Sequence, residues 1–148
     1  MKLLTVVLIG LTVWGGCTAG NQDAIEIKKV LLVDVCKSRV LTQHVFLDES
    51  KSDIEGIAEA VNQYLSKRPL MIASRSDDMI VSDGWYRSIS TGKKGVLVKT
   101  DLLKVKNADA LVGVEMKSGP GMFEYYEYLL GRRKDGWHIL SARFVCAS

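Results

Sequence analysis

Residues 95–147 constrain the chain more than any other stretch. They divide into four extended runs, 96–105, 110–116, 122–130 and 137–146, separated by turn-forming residues at Asn107, at Ser118-Gly119-Pro120-Gly121 and at Asp135-Gly136. The first two runs are rich in Val and Leu, the third in aromatics, and the fourth in mixed apolar residues. That composition favours strands, and each run is bounded by Gly, Asn, Asp or Pro. The pattern predicts an antiparallel meander of four strands. Asp135-Gly136 is the strongest single turn signal, because a type I′ hairpin needs positive φ at both central positions, which Gly accepts and Asp tolerates. A hairpin on that pair places Lys134 opposite Trp137, Tyr128 opposite Arg143 and Tyr125 opposite Cys146. By alternation, Trp137, Ile139, Ser141 and Arg143 then share a face with Tyr126, Tyr128 and Leu130, while Phe144 and Cys146 share the other with Tyr125. Neither face is wholly polar, so the hairpin is expected to be covered at least in part on both sides.

The rest of the chain reads as what covers and ties down that sheet. Residues 52–66 form the clearest helix: Ser52 and Glu55 have capping-box spacing, Ile54, Ile57, Ala58, Val61, Tyr64 and Leu65 make one apolar stripe, and Pro69 ends it. Residues 23–35 also have helical spacing, with Ile27, Val30, Leu31 and Val35 on one side and Asp23 as the cap. Residues 40–47 read as a strand at the sheet edge, and 70–94 as short strands and turns in which Trp85 and Tyr86 anchor a loop. The fold expected is therefore α+β, two N-terminal helices packed on a curved antiparallel sheet that ends in the meander.

The N-terminus points to export. Lys2 opens a basic segment, residues 3–13 are apolar, and small residues follow at Gly15, Gly16, Cys17, Thr18 and Ala19. Eleven or so apolar residues are too few for a permanent span, which takes about 20. Two outcomes stand side by side. Cleavage before Cys17 would leave a lipid-modified cysteine, although Trp14 stands where such signals carry an aliphatic residue; cleavage after Ala19 would release a chain starting at Gly20. The expected division is a signal over 1–19, or 1–16 for a lipoprotein, and a single domain over 20–148, working in the periplasm or anchored in the bacterial envelope. In an oxidising compartment Cys36 and Cys146 are expected to pair. That bond would close a loop of about 110 residues, worth roughly 4–5 kcal/mol by chain entropy.

For chemistry the sequence offers little. His44 and His138 are the two histidines, and neither has a partner at metal-ligand spacing; no metal and no cofactor is expected. Nucleophile elbows, phosphate loops and dinucleotide fingerprints are lacking. The most suggestive group is Tyr126, Tyr128 and Trp137 with Arg143, placed to line a pocket and meet an anionic group or an aromatic ring. Carboxylates at Asp101, Glu115, Glu124 and Glu127 offer the alternative of acid-base work. The chain has 20 basic and 17 acidic residues, and losing Lys2 with a signal lowers the formal charge from +3 to +2. That is too weak a field for nucleic acid. Arg132-Arg133-Lys134 at a hairpin tip leaves anionic surfaces such as lipid headgroups open.

The order of elements resembles the cone-shaped nuclear-transport-factor-two-like and cystatin-like α+β domains. More narrowly, Gly84-Trp85-Tyr86 before a paired meander, and Asp135-Gly136-Trp137 before the final strand, resemble a family of small uncharacterised bacterial exported proteins and lipoproteins. The resemblance covers residues 84–147. It implies architecture, and no activity that passes to particular residues. The function expected is a non-catalytic envelope domain that binds a protein or small ligand, with a small hydrolase or isomerase using Asp101, Glu115 or Glu127 as the alternative.

Overall fold

The run His44-Val45-Phe46-Leu47 is apolar except for its histidine, and all four residues are buried. A strand hidden on both faces suits the interior of a sheet with parallel neighbours, and the computed structural model, which describes residues 18–38, 44–65, 67 and 69–148, places it there. In chain order the elements are α1 (Thr18–Ser38), β1 (His44–Leu47), α2 (Lys51–Tyr64), β2 (Met71–Ser74), a single turn α3 (Arg75–Asp78), β3 (Met79–Ser82), β4 (Trp85–Ser88), β5 (Gly95–Lys106), β6 (Asp109–Gly119), β7 (Met122–Arg133) and β8 (Gly136–Ala147). The main sheet runs β2-β1-β5-β6-β7-β8, and β3 and β4 form a separate hairpin. The α+β class and the four-stranded antiparallel meander are present. The sheet as a whole is mixed, because β1 is parallel to both β2 and β5. Instead of marking an edge, β1 lies between two neighbours; the β1-α2-β2 connection is long enough to return the chain in the same direction.

Helix α2 starts one residue earlier than its sequence pattern suggests, and its cap is Ser50, whose Oγ accepts from the Asp53 backbone N–H at 3.3 Å. Ser52 is drawn into a hydroxyl contact with Ser50 at 3.2 Å. Ile54, Ile57 and Val61 form the buried stripe, while Tyr64 points outward. Asn62 closes the exit of the helix, donating from Nδ2 to the Leu70 carbonyl at 3.0 Å and accepting from the Leu70 N–H at 2.7 Å. Helix α1 buries Ile27, Leu31, Leu32 and Val35 against the same core. Asp23 is not a cap: it lies inside α1 and accepts from Arg132 at 3.0 Å, fastening the helix to the β7–β8 hairpin. Lys2, the apolar residues 3–13 and Cys17, on which the expectation of export rests, lie outside the described residues.

Two apolar clusters hold the sheet, one on each face. The larger joins α1 and α2 to Val45, Leu47, Val98, Val112, Val114, Tyr128, Leu130 and Trp137. The smaller joins Phe46 and Leu97 to Tyr86 of β4 beneath the β3–β4 hairpin. Gly95 lacks the Cβ that would overlap the Phe46 ring, which lets that ring lie flat on the strand. Beyond the reach of this hairpin, no element among the described residues covers the second face of β5–β8.

The turn chemistry is redistributed. Asp83-Gly84, with φ of 53° and 74°, makes the hairpin with both central residues in the left-handed region. Pro120-Gly121, with Gly121 at φ 77°, has the pattern of a type II turn. At the β7–β8 hairpin the pairing is Arg133 with Gly136 and Arg132 with Trp137, so the two turn residues are Lys134 and Asp135 and only Gly136 has positive φ. This slides the expected register at the tip. Two irregularities in β8, at Leu140 and Val145, then bring it back, and Tyr125 again faces Cys146. Between them, Tyr128 pairs with Ala142 and Glu127 with Arg143.

The register also corrects the crosslink. Cys36 and Cys146 are both free thiols. Cys36 sits on α1 and packs against the helix-side core. Cys146 is exposed beside Tyr125, on the opposite face of the sheet. A disulfide needs Cα atoms within about 7 Å, and a whole β-layer separates these two. Burial pushes the Cys36 thiol up to about 11.

Candidate functional site

The group picked out by sequence divides between the two faces. Tyr128 and Trp137 are buried in the helix-side core, and Tyr126 packs against it with its ring edge-on to Phe144 at 5.3 Å. Tyr126 donates its hydroxyl to Glu124 at 3.1 Å. Arg143 lies on the other face, where it donates to Glu127. The cause is the extra residue at Leu140, which reverses the parity of β8 between the tip and Arg143.

Trp137 remains at a cavity. An open groove of about 610 Å³ runs along α1, past the end of α2, to the first residues of β8. Val30, Val33, Trp137 and Ile139 supply its apolar surface, and Glu26, Lys29, Asp34, Lys37 and Tyr64 are its polar lining from the helices. The α1 members recur at helical spacing, so one helix face supplies them all. Lys29 pairs with Glu26 at 2.9 Å, and the Lys37 ammonium stands 3.8 Å above the Tyr64 ring. The indole N–H of Trp137 is buried and has no hydrogen-bond partner among the described residues. An unsatisfied donor of this kind costs about 1–3 kcal/mol, and native interiors hold few of them. Tyr64 and Lys37 escaped the sequence reading because Tyr64 looked like part of the α2 core stripe.

Of the carboxylates offered for acid-base work, Asp101, Glu115 and Glu127 lie on the sheet face away from the helices, whereas Glu124, paired with Met116, lies on the helix side and accepts from Tyr126. Cross-strand pairing sets Lys99, Glu115, Tyr125 and Cys146 in one row and Asp101, Gly113, Glu127 and Arg143 in the next. The Tyr125 ring lies over Gly113, where a side chain would overlap it. Its own partial burial, then the charges of Glu127, Asp101, Glu115 and Cys146, raise the Tyr125 hydroxyl above its ordinary pKa. The three acids of this face are each matched to a cation: Asp101 to Lys99 at 3.4 Å, Glu115 to Lys117 at 2.8 Å, and Glu127 to Arg143.

His44 is 1% exposed, with its Nε2 2.9 Å from the Thr91 hydroxyl. Nearby, Asp78 accepts from the Ser88 hydroxyl at 2.7 Å and the Ser90 N–H at 2.8 Å. Burial alone would raise the Asp78 carboxyl, but these hydrogen bonds outweigh it and hold its pKa below the usual value. The network fastens the loop after β4 to β1. His138, the other histidine, meets Asp135 at 2.8 Å across the hairpin tip. Among the described residues no cluster of His, Cys, Asp and Glu has the makings of a metal site, and no helix is long and apolar enough to cross a membrane. Compared with known proteins, the chain matches no family model, no curated relative and no solved structure.

Proposed function

We propose that this protein is a non-catalytic binding domain of the cell envelope that takes a small, largely apolar ligand in the groove between α1, α2 and β8. The observation that carries the reading is the groove itself: about 610 Å³, apolar along Val30, Val33, Trp137 and Ile139, with a few polar groups beside them. Ligand sites have this size and this make-up. The curvature expected of the sheet belongs to the same proposal, because bending toward α1 deepens the groove. Export rests on the apolar N-terminal segment and the small residues after it.

Acid-base catalysis is the weaker reading. Asp101, Glu115 and Glu127 lie on an open sheet face, each matched to a cation, rather than in the groove.

Native mass spectrometry of the chain purified from envelopes tests the proposal. A reproducible small-molecule adduct is expected on the wild type, and it should be lost in Val33→Trp, which fills the groove from a half-buried position while thermal stability is retained. A bare wild-type mass, or an adduct that survives Val33→Trp, would sink it.

A further inference from the structure

On the sheet face that no described element covers, leucines and cations come together at the tip end. Pairing sets Lys104, Leu111, Leu129 and Ser141 in one row and Lys106, Asp109, Gly131 and His138 in the next. Residues paired across strands share a face, and so do alternate residues along one strand, so Arg133 stands with Leu129. Leu140 joins them: a Cβ on Gly131 would lie 3.0 Å from its Cδ1. Leu129 is 39% exposed and Leu140 49%, and Leu103, the extra residue of β5, is 48%. Lys104, Lys106, Arg133 and Lys134 are all exposed. None of the four has an ion pair within 4 Å among the described residues; of the neighbouring acids, Glu127 is paired with Arg143, Asp109 stands opposite Lys106, and Asp135, hydrogen-bonded to His138, lies within reach of the Arg133 charge, so four cations face two acids at this end of the sheet.

The geometry points to a docking surface for an anionic lipid bilayer. The cations complement acidic headgroups, and each basic side chain near such a surface adds to the attraction. The leucines beside them supply apolar area of the kind that settles at the headgroup boundary. A soluble polyanion would use the cations and leave the leucines wet. A second copy docked face to face by a two-fold axis would set like charges against each other. The inference is independent of the groove, which lies on the other side of the sheet.

The test places a reporter at the patch in the whole chain. Leu129→Trp and, as a control on the helix side, Tyr64→Trp are mixed with vesicles of brominated phosphatidylcholine, with or without roughly a third phosphatidylglycerol. With anionic vesicles, Leu129→Trp should lose at least twice as much fluorescence as the wild type, and Tyr64→Trp no more than the wild type. The additional quenching should vanish in neutral vesicles, and also when Lys104, Lys106, Arg133 and Lys134 are all changed to Gln. Because the readout is local, a chain held to vesicles by its N-terminal segment alone gives no additional quenching at residue 129, and that overturns the proposal. Equal quenching in neutral and anionic vesicles overturns it as well, and so does a spectral response to heparin with none to vesicles.

Discussion

The two faces of the sheet hold separate apolar clusters, and truncating Phe46 tests whether they are energetically separate. Phe46 is fully buried between Tyr86 and Leu97, with Ala73 and Met79 at the margin, and its ring is stacked on His44 at 6.3 Å between centroids. Removing a buried Phe side chain costs about 3–5 kcal/mol, the transfer loss plus the cavity left behind. The cluster has three buried members, and few neighbours are free to collapse into the gap. Against a typical total stability of about 5–15 kcal/mol, Phe46→Ala leaves the protein folded but weakened. With a urea dependence of about 2 kcal/mol/M, the midpoint moves down by roughly 1.5–2.5 M. The partners in a double-mutant cycle must therefore be mild. Tyr86→Leu touches the same cluster and should couple to Phe46→Ala by more than about 0.5 kcal/mol. Ile57→Val lies in the helix-side cluster across the sheet, costs about 0.5–1.5 kcal/mol alone, and should add to Phe46→Ala within about 0.5 kcal/mol. Urea titrations followed by circular dichroism give all the terms. Additivity of the Phe46–Tyr86 pair, or strong coupling of the Phe46–Ile57 pair, refutes two separate cores.

Other outcomes follow from single residues. Gly56 on α2 has open space around a Cβ, so Gly56→Ala should raise stability by about 0.5–1 kcal/mol; at Gly119 a Cβ would strike the Gly84 carbonyl, so Gly119→Ala should lower it, both read as thermal midpoints. Ser50→Ala removes the α2 cap and should cost about 1 kcal/mol, whereas Ser52→Ala should cost clearly less. With its thiol pKa near 11, Cys36 stays protonated at pH 8 and should resist alkylation there, while exposed Cys146 reacts; peptide mapping reads both, and equal labelling would contradict the burial of Cys36. The Asp78 carboxyl has a folded pKa below its ordinary 3.8, so its stabilisation is present above that value and fades as pH falls toward the folded pKa. Asp78→Asn should flatten the acid limb of a stability–pH curve below about pH 4, and an unchanged limb would count against it.

Local signals carried much of the fold. The meander was legible because each strand is bounded by a residue with a backbone preference of its own, and α2 because its apolar stripe keeps a helical period. The candidate site was much less so. Trp137 was marked by its size, but its neighbours Val33, Lys37 and Tyr64 come from two helices whose approach no local pattern specifies. Arg143 was grouped with Tyr126 and Tyr128 by strict alternation, and the additional residue at Leu140 broke that parity. The hairpin turn itself sits on Lys134-Asp135 instead of Asp135-Gly136, and the additional residues at Leu140 and Val145 compensate for that displacement.

What the sequence determined alone was the set of elements with one-residue or one-turn causes: four strands and their breaks, the apolar stripe of α2, and the helical spacing of α1. The tertiary structure decided which partners those elements found. β1 became an interior parallel strand because its four buried residues needed cover on both faces, and Cys36 and Cys146 were parted because helix and β8 edge offered them opposite sides of one sheet. Pairing and facing depend on where distant segments pack, and a local pattern of residues does not encode that distance.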